Sequence, residues 1–109
     1  MTAPRFGSLH NGPTPEQGAE SFVELARAGS ARVESIASRA VTNGEWYEQA
    51  WPEFVLLVAG SAALEFADGS MRDLNPGDWA FLPAHCRHRV NWTDPASETL
   101  WLAVHLPPG

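Results

Sequence analysis

Hydrophobic and polar positions alternate in short bursts along this chain. Each burst ends at a glycine, a proline or an Asx-Gly pair. Residues 31–41 (ARVESIASRAV) set Val33, Ser35 and Ala37 against Arg32, Glu34 and Ile36, the period-two pattern of a strand with one exposed face. Asn43-Gly44 is a hairpin-type turn signal. Residues 45–51 (EWYEQAW) alternate aromatic and polar side chains until Pro52 stops them. Residues 53–59 (EFVLLVA) form a short, nearly continuous apolar run closed by Gly60. Further strands are predicted over 61–67, 71–74, 79–83, 88–92 and 100–106, separated by Asp68-Gly69, by Asn75-Pro76-Gly77-Asp78 and by polar loops. The last strand is closed by Pro107-Pro108-Gly109.

One segment reads differently. In residues 15–28 (PEQGAESFVELARA), Phe22, Leu25 and Ala26 recur at i, i+3 and i+4. Thr14 is placed as an N-cap, Pro15 as a first helical residue, Gln17 as a capping-box partner and Gly29 as a stop. A short or broken helix is predicted there, weakened by Gly18. The expected organisation is an arm with a short helix over 1–30 and a β domain over 31–109. About eight short strands at roughly ten-residue spacing make the fold class all-β, a sandwich or barrel. The runs 54–59 and 100–106 have almost no polar side. Since antiparallel strands usually alternate, a second subunit is expected to cover one sheet, giving a homodimer.

Composition narrows the function classes. The chain has 109 residues, enough for one small domain. Hydrophobic residues make up 44% and charged residues 18%, so a packed core is feasible. The net charge is -6, and all seven basic residues are arginines. Such a surface repels phosphate backbones and anionic lipid, which argues against nucleic-acid and membrane partners. The single cysteine, Cys86, makes no intrachain disulfide. Residues 1–14 contain no apolar run of signal-peptide length, and a cytoplasmic location is expected.

The candidate chemistry lies between Gly44 and His105. Glu53 is followed after six residues by Gly60, Gly77 after five by Pro83, and His88 stands five after Pro83. The segment from Gly44 to Asn91 resembles the two motifs of the cupin superfamily. In that alignment the motif's His pair falls on Tyr47 and Gln49, Glu53 takes the Glu position and His88 takes the second motif's His. Gly44 is out of register with the opening Gly, His85 occupies a Gly position and Asn91 comes one residue early. The chain looks most similar to small single-domain bacterial cupins in which WYDQ stands in place of the His pair. Here those stretches read Trp46-Tyr47-Glu48-Gln49, Leu82-Pro83-Ala84-His85-Cys86-Arg87-His88 and Trp101-Leu102-Ala103-Val104-His105.

The resemblance implies a jelly-roll β-barrel, a homodimer and a divalent metal inside the barrel. Strand parity agrees in part: Tyr47 and Gln49 can both face inward, as can Trp101, Ala103 and His105. Glu53 and His88 are the expected ligands. Gln49 is a weak neutral third, and His85 or His105 is needed as the replacement imidazole. Tyr47, Gln49 and Trp101 are expected to line a ligand pocket. Imidazole and carboxylate suit zinc, iron, nickel or manganese, and two His with one carboxylate would make an open facial triad.

Each residue also has a plainer role. Glu53 can be a solvated strand-edge carboxylate, His88 or His105 a hydrogen-bonded core histidine, and His85 a turn residue. Arg87 and Arg89 are placed in ion pairs or on a carboxylate ligand. Cys86, despite neighbouring Arg87, is read as an inert thiol. Two functions stay open. One is a metal-dependent small-molecule cupin, in a family that includes isomerases, dioxygenases and lyases, acting on a small polar ligand such as a carboxylate. The other is a binding or sensing module with no catalytic metal.

Overall fold

A computed structural model describes residues 3–108. Met1 and Thr2 of the expected arm, and Gly109 of the closing stop, lie outside the described residues. Eight antiparallel strands form two sheets: β1 (Glu20–Ala28), β2 (Ala31–Ser38), β3 (Glu53–Ala59), β4 (Ala62–Phe66), β5 (Met71–Leu74), β6 (Trp79–Leu82), β7 (His88–Thr93) and β8 (Thr99–His105). The larger sheet has the order β1-β2-β8-β3-β6 and the smaller β5-β4-β7. The apolar faces of the two sheets meet in a core of Val55, Leu57, Ala62, Leu64, Leu74, Trp101 and Ala103. No helix among the described residues is long and apolar enough to cross a membrane.

The helix expected over 15–28 is not formed. Residues 20–28 are strand β1, paired with β2 from Glu20↔Ser38 to Ala28↔Ala31. The sheet therefore begins inside the segment expected to be an arm. The register shifts between Glu24 and Ala26, a bulge at Leu25. That extra residue breaks the period of two, so Phe22, Leu25 and Ala26 imitate helical spacing. Gly29, with φ 59°, forms the tight β1–β2 turn instead of a helix stop. The only helical turn among the described residues is a 3-10 turn at Leu9–Asn11.

The strand expected over 45–51 is also absent as a regular element. Residues 41–49 run irregularly beside β7. Asn43 and Gly44 donate to the carbonyls of Asn91 and Val90, and Tyr47 exchanges two backbone bonds with His88. A Cβ on Gly44 would stand 2.9 Å from the Val90 carbonyl oxygen, so the close approach requires glycine. This strip carries Tyr47 and Gln49 to the mouth of the barrel.

The outer face of the large sheet is apolar across four strands. Registers place Val33, Val104, Phe54 and Phe81 in one row, and Ser35, Leu102, Leu56 and Trp79 in the next. Phe54 stacks on Trp79 with ring centroids 5.5 Å apart. Trp79 and Phe81 remain 61% and 51% exposed, large aromatic areas left to solvent.

Candidate functional site

A cavity of about 70 Å³ opens between the two sheets. Residues of the large sheet supply Glu20, Phe22, Glu34, Ile36, Glu53, Val55, Leu82, Trp101 and His105 to its lining. The small sheet supplies Leu64, His88 and Val90, and the irregular strip supplies Tyr47 and Gln49. At roughly 10–15 Å³ per water-sized group, the space admits about five such groups. Of the sequence-predicted residues, Tyr47, Gln49, Glu53, His88, Trp101 and His105 come together here. His85 does not. It is exposed, sits at φ 65° in the Pro83–Cys86 turn, and donates its backbone N–H to the Gln49 carbonyl.

Hydrogen bonds assign the state of each ring. Trp51 Nε1 donates to His105 Nδ1 at 2.9 Å. An indole N–H can only donate, so Nδ1 is the acceptor and the ring proton sits on Nε2. His105 Nε2 then donates to Glu34 Oε1 at 2.8 Å. Both nitrogens of His105 are thereby committed. His88 is the opposite case. Its Nδ1 lies 2.8 Å from the Cys86 carbonyl, which can only accept, so the proton is on Nδ1. The Nε2 lone pair of His88 has no partner among the described residues. His88 is 8% exposed and lines the cavity.

A second relay mirrors the first. Trp101 Nε1 donates to Ser38 Oγ at 3.0 Å, and Ser38 Oγ donates to Glu20 Oε2. Each relay starts at an indole and ends on a carboxylate of the lining. Glu53 is the third carboxylate and stands outside both. It is 7% exposed and has no hydrogen-bond partner among the described residues. Among the described residues no polar side-chain atom fully closed off from solvent lacks a partner, so the Glu53 oxygens face the cavity.

Electrostatics follow from this crowding. Burial raises the Glu53 carboxyl above the ordinary carboxylate range. His105 and His88 pull it down in part, and Glu34 pushes it up. Burial also raises Glu20, opposed by the Ser38 hydrogen bond and reinforced by Glu45. The Tyr47 phenol is raised by burial and then by four nearby carboxylates, Glu20, Glu45, Glu34 and Glu53. A phenol so placed stays protonated, which leaves Tyr47 a poor metal ligand.

Glu20, Glu34, Ser38 and Trp51 are absent from the sequence-based site. Glu20 was hidden by the helical reading of its segment. Glu34 shares strand parity with Ile36, a signal that it faces the same way, but nothing in the sequence says which face is inner. Arg87 and Arg89 flank His88 yet turn away from the lining. Their guanidinium groups lie 4.8 and 4.6 Å from the Trp46 ring centroid, and Arg89 also pairs with Glu65 at 2.9 Å. Burial raises the Cys86 thiol, so Arg87 does not activate it.

Comparison with known proteins adds the family. A crystal structure from Ralstonia eutropha JMP134, of a protein provisionally named a mannose-6-phosphate isomerase, is 43% identical over 94% of this chain and 97% of that one, with a TM-score of 0.80. A cupin superfamily protein from Desulfitobacterium hafniense DCB-2 is 21% identical over 86% of this chain and 83% of that one, with a TM-score of 0.67. This chain belongs to the cupin superfamily. A Klebsiella pneumoniae protein with a double-stranded β-helix domain shares the fold, at TM-score 0.81 and 15% identity over 98% of this chain and 93% of that one. No family model and no curated protein matches the sequence.

Cupins commonly imply a metal in the barrel, and the donor set of this cupin does not fit one. No three His, Cys, Asp or Glu side chains group around a common point among the described residues. His105 offers no lone pair, because Nδ1 is held by Trp51 and Nε2 carries its proton to Glu34. His85 is on the surface. Glu53 and His88 Nε2 remain, with Gln49 as a weak neutral neighbour. Two strong donors fall short of the three protein ligands that catalytic metal sites use.

Proposed function

We propose that this cupin is a small-ligand site working through a carboxyl–imidazole pair, Glu53 and His88, with no barrel metal. The observation that carries this is the contrast between the two inner histidines. His105 is locked between Trp51 and Glu34, whereas His88 presents a bare Nε2 to the same cavity that Glu53 faces without a partner. Burial raises the Glu53 carboxyl, so it takes up or releases a proton according to the charge of what the cavity holds. The Nε2 of His88 is suited to accept one, its tautomer fixed by the Cys86 carbonyl. A bound molecule between them would meet the Glu53 carboxyl at one atom and the His88 acceptor at another. That arrangement serves recognition, and it also serves proton transfer.

Two other readings have less support. HppE with Fe(II) and an alternative substrate shares the fold, at TM-score 0.72 and 17% identity over 80% of this chain and 49% of that one, and the likeness extends to fold alone. Sugar-phosphate isomerisation, the provisional role of the Ralstonia protein, meets a cavity of about 70 Å³. Its lining contains three glutamates and neither arginine nor lysine. Phosphate recognition normally draws on those cations.

Elemental analysis of the tag-free protein, purified without added metal, tests the reading. The expected result is well under one equivalent of any transition metal per chain, unchanged after incubation with iron(II), manganese(II), nickel(II) or zinc(II) and desalting. A near-stoichiometric metal that is lost in Glu53→Gln and His88→Ala would overturn it.

A further inference from the structure

We propose that the cavity is a receptor for a small organic cation, a primary ammonium on a short aliphatic body. The inference deepens the reading of the barrel as a metal-free ligand site and rests on it. Three features define the occupant.

The first is sign. Glu20, Glu34 and Glu53 reach the cavity from three different strands, and neither arginine nor lysine lines it. Arg32 packs 5.3 Å from the Trp51 ring centroid, outside the lining. Arg32 offsets Glu53 only as the smallest of the influences on that carboxyl, so an anion would meet an excess of like charge and the carboxylate ligand expected from the sequence is disfavoured.

The second is hydrogen-bond polarity. The Trp51–His105 relay occupies one oxygen of Glu34, and the Trp101–Ser38 relay occupies one oxygen of Glu20. Each carboxylate keeps its other oxygen, Glu53 keeps both, and His88 Nε2 is a bare acceptor. The site is therefore rich in acceptors, and Glu53, at 7% exposure, is buried there without a partner. An ammonium brings three N–H donors and one positive charge, and a buried carboxylate whose counter-charge, Arg32, lies outside the cavity is costly. Trp101 and Tyr47 also line the cavity, and aromatic rings are compatible with a cation.

The third is size and shape. The lining beside the carboxylates is apolar and includes Val55, Leu64, Leu82 and Val90. Room for about five water-sized groups suits a head and a chain of a few carbons.

Three isosteric probes separate the possibilities: n-propylammonium, 1-propanol and propionate. Each is titrated into ¹⁵N-labelled protein in amine-free buffer near neutral pH, following the indole N–H signals of Trp101 and Trp51. The expected result is saturable binding of propylammonium about tenfold tighter than propanol, with no response to propionate. Glu53→Gln should weaken the amine about tenfold and leave the alcohol unchanged. Because the comparison of the three probes needs only the unmutated protein, it decides the matter even if the variant fails to fold. Equal binding of alcohol and amine would overturn the cation and leave the cavity as a metal-free ligand site. Preference for propionate would overturn the sign argument. Silence with all three would remove the cation and the ligand-site reading together.

Discussion

Trp51 donates its indole N–H to His105 Nδ1 at 2.9 Å, although the two residues are 54 positions apart. Trp51 sits just before Pro52, in the irregular turn that feeds β3, and His105 ends β8. Pairing of Glu53 with His105 across β3 and β8 brings them together. The bond sets which ring nitrogen carries the proton, directs that proton at Glu34, and removes His105 from any coordination role.

Trp51→Phe keeps most of the ring volume and deletes the donor. The ¹⁵N spectrum of His105 should show the Nε2–H tautomer in the unmutated protein and a mixture in the variant. Loss of one largely buried hydrogen bond should cost about 1 kcal/mol of unfolding free energy. An unchanged His105 spectrum would show that Glu34 alone fixes the ring.

Glu53 should make stability depend on pH. Its carboxyl is raised in the folded protein because burial penalises the charged form. The folded state therefore binds this proton more tightly than the unfolded chain, whose glutamate titrates near ~4.3. The contribution is fully present below the unfolded value and is lost as pH rises through the raised folded value. Glu53→Gln should match the unmutated protein in Tm at acid pH and exceed it near neutral pH. Glu20 is raised by the same cause and should broaden the profile, so Glu20→Gln combined with Glu53→Gln should flatten it further. A Tm difference that grows towards acid pH would contradict the sign.

Legibility in the sequence followed the local physics. Strands β3 to β8 announced themselves, because each is a short apolar or alternating run bounded by Gly, Pro or Asx-Gly. Strand β1 did not, because the Leu25 bulge shifts its alternation into a helix-like spacing. Residues 45–51 alternate like a strand, yet the Gly44 approach to Val90 and the single Tyr47–His88 bridge leave them irregular. Within the site, parity set Tyr47, Gln49, Trp101 and His105 on inner faces, and all four line the cavity. Parity carries no information about hydrogen-bond partners, so the capture of His105 by Trp51 and Glu34 could not be read from it. The inner role of Glu20 and Glu34 required knowing that β1 and β2 extend the large sheet.

The apolar outer face should hold a second copy of the chain. Val33, Val104, Phe54 and Phe81, then Leu102, Leu56 and Trp79, form two rows with no charged side chain among them, on a protein of net charge -6. An uncharged patch of this kind is self-complementary, as a two-fold interface requires. Light scattering should give a mass of twice 11.9 kDa. Phe81→Glu, at a half-exposed position, should give a folded monomer. A monomeric unmutated protein would remove this expectation.

Gly60 closes the β3–β4 turn at φ 87°, where a Cβ would lie 2.7 Å from the Thr99 Cα and crowd its side chain as well. Thr99 opens β8 and donates its hydroxyl to the Ser61 carbonyl, so it cannot move away without breaking the junction between the two sheets. Gly60→Ala therefore combines a left-handed backbone strain with a backbone clash. The strain alone should cost about 1–3 kcal/mol, and the clash adds to it. Chemical denaturation should show a loss of several kcal/mol or failure to fold. Gly69→Ala isolates the strain, since its φ of 86° is similar and nothing lies within 4 Å of its Cβ position. The expected order is Gly60→Ala well below Gly69→Ala, and equal losses would mean that the Thr99 approach is not what requires glycine at residue 60.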